Sequence, residues 1–449
     1  MKTFEYTSIE YDKLKEECAQ FNEKSFRDGF ETYLEKQDLK GAITLYNSKL
    51  RTNSIVGVIK YKNFQLDILP KLLSHTVSNT DENGYNKFEK IDDNDLNNII
   101  KNLLFMISKT ENLEIKTTDY ADISNCENPF FEILIREYSA SLFDCLKRLT
   151  PRNYIREEDN LNYLKGKLKF TENIRYNCAN KAKFYCEYDE FSENNELNRL
   201  FLFVSKCLFQ LSKNSKNKQI LSFIMNYYCD IPFEITDKYK ADKIILTRNQ
   251  KLFELPFKLA KMFLKHISVD ISNNRIENIT ILWDMNKLFE EFVYQLLRKG
   301  QNEFKVNYQK KCCLLKRVGN GKEFRDTYTD IFLEREKKEN QEETEKIVFD
   351  TKYKIGSFAN SDIYQVCTYC LLHSAYNAIL FYPLKFSKEG NEYFKKGSSY
   401  KLNTNETKED VYIHRVYINL YHNELNKIFD NVKDFIGIIK DIKEIEKEK

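Results

Sequence analysis

The residues with the clearest chemical potential are two aspartates in the last third of the sequence. Asp330 lies in the apolar, β-prone segment Tyr328–Leu333, and Asp350 lies in a second such segment, Lys346–Tyr353. The connection Glu334–Glu345 is almost entirely charged and amide side chains, which is typical of an exposed hairpin connection. A hairpin sets its two strands side by side, so the two aspartates can converge on one hard cation.

A lysine and a second pair of polar residues follow these aspartates. Lys352 lies two residues after Asp350, so both side chains project from the same face of a strand. Two carboxylates that hold Mg²⁺ and an ammonium that orients water or stabilises charge suit metal-assisted phosphodiester hydrolysis. Gln365 and Tyr369 stand four apart in a predicted helix and share a face. From there they either brace the lysine or contact the nucleic-acid backbone.

The complete order of these residues is more informative than any part of it. An acidic-x-Lys triplet alone carries little information in a chain with 71 Lys+Arg and 68 Asp+Glu. The pattern of strand Asp, hairpin, strand Asp-x-Lys and a helix with Gln-x-x-x-Tyr is more specific. An aspartate within the apolar run I-V-F-D is unusual, because burying an unpaired carboxylate costs free energy. The alternative interpretation is an ordinary charged strand end.

This order of residues resembles the PD-(D/E)xK nuclease superfamily, with the Gln-x-x-x-Tyr addition of its RecB-like branch. More closely, the whole chain resembles the McrC family, the nuclease subunits of McrBC modification-dependent restriction systems. Similar segments are the G-V-I and I-L-P-K pair in Ser54–Leu72 and the runs Asn153–Phe170 and Glu187–Leu200. The resemblance implies that Asp330 and Asp350 hold Mg²⁺.

The resemblance also implies a carboxylate from the helix that opens the nuclease domain. Met285–Arg298 is strongly amphipathic and predicts this helix. Glu290 follows the apolar pair Leu288-Phe289 and matches the motif as a catalytic residue and metal ligand. Glu291 is the rival, and a solvated helix face is an equally open interpretation.

The surrounding elements predict an α/β (α+β) fold. The C-terminal domain is expected to be a restriction-endonuclease-like core, a mixed sheet flanked by helices. After the opening helix come a strand near Phe304–Gln309, the two aspartate strands, the Gln-x-x-x-Tyr helix and the strands Ala378–Tyr382 and Val411–Leu420. Ile363–Leu384 lacks full charges, but its polar residues favour a buried helix running into a core strand over a membrane span. Leu425–Lys449 predicts an amphipathic helix.

Three regions are expected along the chain. Residues 1–150 predict an N-terminal α+β region, β-rich and helical, that binds the partner. Residues 151–275 predict a mostly helical middle region, and residues 276–449 the endonuclease domain. In the middle region a β-strand would place three lysines on one face, where they could contact nucleic-acid phosphates or an acidic partner. These are Lys165, Lys167 and Lys169, and a solvated strand face is the alternative.

Composition narrows the class of protein. The chain has 449 residues, of which 42% are hydrophobic, enough to bury the cores of two or three domains. The net charge of +3 gives no global basic field, so binding to DNA needs a local patch or a partner. The N-terminus lacks a signal-peptide apolar region and the 11 cysteines follow no secreted pattern, so we expect a cytoplasmic protein. No phosphate-binding loop motif occurs, so nucleotide hydrolysis is expected of a partner.

The resemblance implies that the chain is a type IV restriction endonuclease subunit. The resemblance implies Mg²⁺-dependent cleavage of double-stranded DNA that contains 5-methylcytosine. It also implies a McrB-like AAA+ GTPase hexamer as partner. The partner binds and hydrolyses GTP, and this chain stimulates that hydrolysis. One alternative is a non-catalytic adaptor that keeps a nuclease-like fold only to bind a partner.

The other alternative is a stand-alone RecB-like nuclease with an iron–sulfur cluster. Such a cluster needs four thiolates. The pair Cys367 and Cys370 could supply two, and only Cys312 and Cys313 offer a plausible second pair.

Overall fold

The structure is a computed structural model that divides the chain into two compact units. One unit contains residues 1–59, 63–113 and 282–449, and the other contains residues 60–62 and 114–281. The described residues are 1–46, 48–71, 86–87, 93–111, 113, 129–236, 238–272, 275–318, 323–335, 345–354, 359–384, 392–402, 410–420, 425–432 and 435. These units differ from the three regions predicted above, because residues 1–113 group with the C-terminal part of the chain. The three-part division stays a prediction about function.

The N-terminal part of the first unit combines small sheets with helices, as predicted. Its elements are β1 (Lys2–Phe4), β2 (Thr7–Glu10), α1 (Tyr11–Glu17), α2 (Lys24–Lys36), β3 (Ile43–Tyr46), β4 (Lys49–Thr52), β5 (Ile55–Tyr61), β6 (Phe64–Leu69), β7 (Asn86–Lys87) and α3 (Asp93–Thr110). Strand β1 pairs in parallel with β6, which neighbours β5. The order β3-β4-β2-β7 describes a second sheet.

The second unit begins with a helix and a small sheet and continues mainly as helices. Its elements are α4 (Pro129–Leu146), β8 (Asn153–Leu161), β9 (Lys167–Leu168), α5 (Phe170–Asn177), β10 (Phe184–Ser192), α6 (Glu196–Leu211), α7 (Ser215–Tyr227), α8 (Lys238–Lys243), α9 (Glu254–His266), β11 (Ile267–Ser272) and β12 (Arg275–Asp284), whose end enters the first unit. The sheet has the order β8-β10-β9. Helices therefore dominate the middle of the chain only from Glu196 onward.

The C-terminal part of the first unit is built on a six-stranded mixed sheet. Its elements are α10 (Met285–Gly300), β13 (Lys305–Lys316), β14 (Glu323–Arg335), β15 (Glu345–Thr351), α11 (Asn360–His373), β16 (Asn377–Pro383), β17 (Phe394–Lys401) and β18 (Tyr412–Ile418). The strand order is β13-β14-β15-β16-β18-β17. The first three strands are antiparallel, β16 is parallel to β15 and to β18, and β17 is antiparallel to β18. The predicted mixed sheet flanked by helices is confirmed.

Both faces of strand β15 are covered, which explains its uninterrupted apolar run. Val348 packs with Val366 of α11 in one core cluster. The next residue, Phe349, points to the other face, where its ring lies 5.9 Å from that of Phe435. A strand covered on both faces reads as a continuous hydrophobic segment rather than an alternating one. Asp350 at the end of this run is therefore buried with it.

Two sequence predictions outside this core can be compared with the structure. Helix α11 ends at His373 and β16 begins at Asn377, so the uncharged stretch is a helix followed by a core strand, as predicted. In the described part of the chain no helix has the length and apolarity needed to span a bilayer. The predicted helix over Leu425–Lys449 is wrong at its start, where Leu425–Ile428 is a 3-10 helix. Residues 436–449 lie outside the described residues.

Replacement of Leu380 should destabilise this sheet. Leu380 on β16 is fully buried in the core under α11. Leu380→Ala should lower the free energy of unfolding by about 2–5 kcal/mol, because the truncation leaves a cavity. Leu371→Ala is the matched control, since Leu371 on α11 is 73% exposed and should cost under about 0.5 kcal/mol. Equal losses in urea unfolding of the two variants would contradict this core assignment.

Candidate active site

The hairpin of β14 and β15 brings the two strand aspartates to the same end of the sheet. The antiparallel register pairs Ile331 with Phe349. Continued by one residue, this register sets Asp330 opposite Asp350. The predicted antiparallel pairing of the two segments is confirmed, while most of their charged connection, residues 336–344, lies outside the described residues.

Asp350 is a buried carboxylate that lies close to Lys352 but accepts no well-directed hydrogen bond from a described group. Its side chain is fully buried, and the Lys352 ammonium nitrogen lies 2.7 Å from Asp350 Oδ2. The two groups form an ion pair, but neither carboxylate oxygen accepts a well-directed hydrogen bond from a described group. Burial, and then the nearby charge of Asp330, raise the pKa of Asp350 to about 7. A carboxylate in this state favours a proton or a bound cation.

Asp330 is better satisfied than Asp350. Its Oδ2 accepts hydrogen bonds from the Thr351 backbone N–H at 2.9 Å and from the Thr351 hydroxyl at 3.1 Å. Burial raises the pKa of Asp330, and the bonds from Thr351 and the charge of Lys352 oppose that rise without cancelling it. Sequence reasoning missed Thr351. The only signal for it was a hydroxyl residue directly between Asp350 and Lys352.

Helix α11 holds the lysine through a chain of two hydrogen bonds. Lys352 Nζ donates to Gln365 Oε1 at 3.0 Å, and Gln365 Nε2 donates to Tyr369 Oη at 2.9 Å. Burial works against the ammonium charge, but Asp350 and Asp330 outweigh it and raise the pKa of Lys352. The lysine therefore stays charged beside the carboxylates. Of the two arrangements that the sequence left open, Gln365 and Tyr369 brace the lysine in this structure. The catalytic roles of these residues stay predictions.

Glu290 of α10 lies at the side of the site. Gln309 Nε2 donates to Glu290 Oε1 at 3.0 Å. Burial, and then the charge of Asp330, raise the pKa of Glu290 to about 7. Gln309 has a φ of 45°, a left-handed conformation that costs a non-glycine residue free energy and is often found at functional sites. Sequence reasoning missed Gln309, because nothing in the residue pattern indicates this backbone conformation.

The donor set fits a magnesium ion held by two protein carboxylates. Within the described residues no three His, Cys, Asp or Glu side chains converge closely enough to hold a metal ion. Glu290 therefore does not complete a three-ligand set with Asp330 and Asp350, and its role as a ligand stays a prediction. Mg²⁺ needs no such set, because it commonly keeps several waters and binds one or two carboxylates plus substrate phosphates. The unused oxygens of Asp350 meet that requirement.

The three lysines predicted as weak contacts lie in the second unit. Lys165 Nζ lies 3.2 Å from Glu190 Oε2, and Lys169 Nζ lies 2.7 Å from Glu158 Oε1. Gly166 has a φ of 67° and β9 spans only Lys167–Leu168, so the lysines do not share the face of one continuous strand. Two of the three are occupied by acidic neighbours, and their predicted contact with a nucleic acid or partner stays a prediction.

Removal of the Asp350 charge should stabilise the protein without metal. The folded-state pKa of Asp350 is raised from 3.8 to about 7, so its protonated form stabilises the fold at low pH. That contribution is lost as the pH rises through about 7. Asp350→Asn should therefore raise the melting temperature by a few degrees at pH 8 and hardly change it at pH 4.

Divalent cations provide the second measurement on this variant. Mg²⁺ should raise the melting temperature of the wild type at pH 8, because it binds only the folded carboxylates. It should not do so in Asp350→Asn. A variant that is less stable than the wild type in EDTA at pH 8 would contradict the description of Asp350 as a strained, buried charge.

The comparisons with known proteins give one family match and two similar solved structures. The family described as McrBC 5-methylcytosine restriction system component matches residues 50–383. No curated protein matches the sequence. One similar solved structure is a "Refined half-complex from tetradecameric assembly of Thermococcus gammatolerans McrB AAA+ hexamers with bound McrC". At 20% identity and a TM-score of 0.64, the likeness covers 97% of this chain and 99% of that chain.

A second solved structure has a weaker likeness. The "Cryo-EM structure of the Thermococcus gammatolerans McrBC complex" has 21% identity and a TM-score of 0.46, covering 68% of this chain and 89% of that chain. The first likeness establishes a shared fold over nearly the whole length. Because the family match covers more than half of the sequence, this chain belongs to the family of McrBC 5-methylcytosine restriction system components.

Proposed function

We propose that this chain is the Mg²⁺-dependent nuclease subunit of a McrBC-like type IV restriction system with a PD-(D/E)xK active site. It cleaves double-stranded DNA that contains 5-methylcytosine. The observation that carries this proposal is the buried carboxylate of Asp350, which accepts no well-directed hydrogen bond from a described group. Lys352 Nζ lies 2.7 Å from its Oδ2, and Asp330 lies on the neighbouring strand. Family membership supports the restriction role, and the two carboxylates with a lysine support metal-assisted hydrolysis of a phosphodiester.

The residues of this chain have distinct roles in the proposed reaction. Asp330 and Asp350 would hold Mg²⁺, which when bound polarises a phosphoryl oxygen and lowers the pKa of a bound water. Lys352 keeps its charge in the site and stabilises negative charge that develops on the phosphoryl group. Gln365 orients Lys352, and Tyr369 orients Gln365. Glu290, whose pKa is raised by burial and by the charge of Asp330, is the candidate for a further carboxylate of the site.

We infer that an AAA+ GTPase hexamer is the partner of this chain. The similar structure from Thermococcus gammatolerans is described as McrB AAA+ hexamers with bound McrC, and its likeness extends over 97% of this chain. The near-neutral net charge of +3 agrees with DNA binding that is shared with a partner. The sequence has no phosphate-binding loop motif, so GTP binding is assigned to the partner. This chain stimulates the partner's hydrolysis of GTP. The complex is proposed to act in the cytoplasm.

A plasmid cleavage assay tests this function. Methylated and unmethylated plasmids are incubated with Mg²⁺ and the chain, alone or with the neighbouring-gene GTPase and GTP. We expect cutting only of methylated plasmid, and only with partner, GTP and Mg²⁺. Asp350→Ala should abolish it, because the metal loses its buried ligand. Leu371→Ala, an exposed change on α11, is the control and should cut normally.

The outcomes separate the alternatives. Equal cutting by wild type and Asp350→Ala would place the activity elsewhere and contradict the proposed site. Stimulation of the partner's GTPase without any cutting would favour the non-catalytic adaptor. Cutting by the chain alone, independent of methylation, would favour a stand-alone nuclease.

Loss of the Gln365 side chain should slow cleavage without preventing metal binding. Gln365→Ala removes the acceptor that holds Lys352. The cleavage rate should fall about 10- to 100-fold, because a misplaced catalytic group loses its orientation. Gln365→Glu keeps an acceptor for the ammonium and should lose less. The stabilisation by Mg²⁺ should persist in both variants. Unchanged cleavage by Gln365→Ala would show that Lys352 needs no brace.

A further inference from the structure

Strands β13 and β14 continue beyond the sheet as a two-stranded ribbon next to the candidate active site. Strand β15 pairs with β14 only over Ile331–Arg335. The pairing of β13 with β14 continues from Lys310 and Thr329 to Lys316 and Glu323. We call residues 310–318 and 323–329 the β13–β14 ribbon. On β14 the ribbon ends at Thr329, one residue before Asp330.

The ribbon exposes large apolar side chains. Val318 is 99% exposed, Phe324 is 65% exposed and Tyr328 is 51% exposed. A two-stranded hairpin is only marginally stable in water, so exposed apolar groups on it are a cost to folding. A cluster of such groups on a soluble protein marks a surface that contacts another molecule.

The ribbon is also strongly basic. It carries five Lys and Arg residues and two acidic residues, a formal charge of +3 that equals the net charge of the whole chain. Lys316, Arg317 and Arg325 are exposed, and none of the carboxylates whose side chains the structure describes forms an ion pair with them. The guanidinium of Arg317 lies 5.9 Å from the centre of the Phe324 ring. Unpaired cations interleaved with aromatic rings favour a polyanionic partner over an apolar one.

The ribbon is aligned with the proposed cleavage site. Side chains alternate along a strand, so Tyr328 shares a face with Asp330. Tyr328 pairs directly with Lys311 across the ribbon, which places Lys311 on that face as well. At about 3.4 Å per residue, Phe324 lies roughly 20 Å from Asp330 along the strand. That distance corresponds to about six base pairs of duplex DNA.

We propose that the β13–β14 ribbon binds the DNA duplex that flanks the cut, lying in the major groove beside the scissile phosphodiester. The major groove admits a two-stranded β-ribbon. Lys316 and Arg317 contact phosphates along its edges, and Arg325 does so from the face opposite to Asp330. Tyr328 faces the backbone nearest to the two aspartates. This inference rests on the proposed nuclease function, which requires a duplex at this edge of the sheet.

Duplex binding by the full-length chain tests the ribbon. All variants carry Asp350→Asn so that the DNA stays intact. The ribbon variant adds Lys316→Ser, Arg317→Ser and Arg325→Ser. The matched control adds Lys24→Ser, Lys36→Ser and Lys251→Ser, an equal loss of charge at exposed positions outside the ribbon. The dissociation constant of a fluorescent duplex is measured over a series of salt concentrations.

The ribbon variant should bind about tenfold more weakly or worse at moderate salt. The slope of log affinity against log salt should shrink by about 2–3, because each lost phosphate contact removes about 0.9. The control should keep the affinity and slope of the parent. Lys316→Arg, Arg317→Lys and Arg325→Lys together should keep the affinity of the parent, which would show that the positive charge at these positions carries the binding.

Two results would overturn the inference. One is an equal loss of affinity in the ribbon variant and its control, and the other is a parent chain that binds no duplex even at low salt. The readout is separable from the nuclease proposal. If duplex binding depends on the ribbon but the wild type never cuts DNA, only the proposed nuclease function is contradicted. If the wild type cuts DNA but duplex binding does not depend on the ribbon, only the proposed role of the ribbon is contradicted.

Discussion

The buried charge of Asp350 is the constraint on which the C-terminal half of the first unit depends. A carboxylate at the end of a buried apolar run, here Ile347–Phe349 of β15, costs free energy unless a cation balances it. The fold supplies one cation in Lys352, 2.7 Å from Asp350 Oδ2, yet leaves the carboxylate oxygens without directed hydrogen bonds. Such residual destabilisation is typical of sites that are arranged for function rather than stability.

Each element around this charge fixes the position of one group in the site. Strand β14 presents Asp330 beside it, and Thr351 fixes one oxygen of Asp330 with two hydrogen bonds. Helix α11 packs on the sheet through a shared apolar core and holds Lys352 through Gln365. The site is thus placed on two strands and a helix rather than on loops. Rigid elements of this kind keep catalytic groups within the small tolerances that catalysis requires.

Much of this arrangement follows from local periodicity and was predictable from the sequence. The two-residue repeat of strands relates Asp350 to Lys352, and the four-residue repeat of helices relates Gln365 to Tyr369. The polar connection between two apolar segments indicates the hairpin that pairs Asp330 with Asp350. These relationships need no knowledge of distant contacts.

Other features depend on tertiary context and were not predictable. The left-handed conformation of Gln309, whose amide donates a hydrogen bond to Glu290 of α10, has no signal in the residue pattern. The continuation of β13 and β14 as a ribbon was missed, because its charged residues resemble a loop. Gly166 turns the backbone between Lys165 and Lys169, so each lysine pairs with acidic residues of neighbouring strands. Grouping of residues 1–113 with the C-terminal part has no local signal at all.

Anomalous diffraction from crystals soaked in Mn²⁺ would test most directly whether Asp330 and Asp350 hold a divalent cation. We expect a manganese peak within coordinating distance of Asp330 and Asp350, with Lys352 still held by Gln365. The peak should be absent from Asp350→Asn crystals soaked in the same way. Asp350 paired only with Lys352 in saturating Mn²⁺, with no peak between the two strands, would show that the two aspartates do not form a metal site.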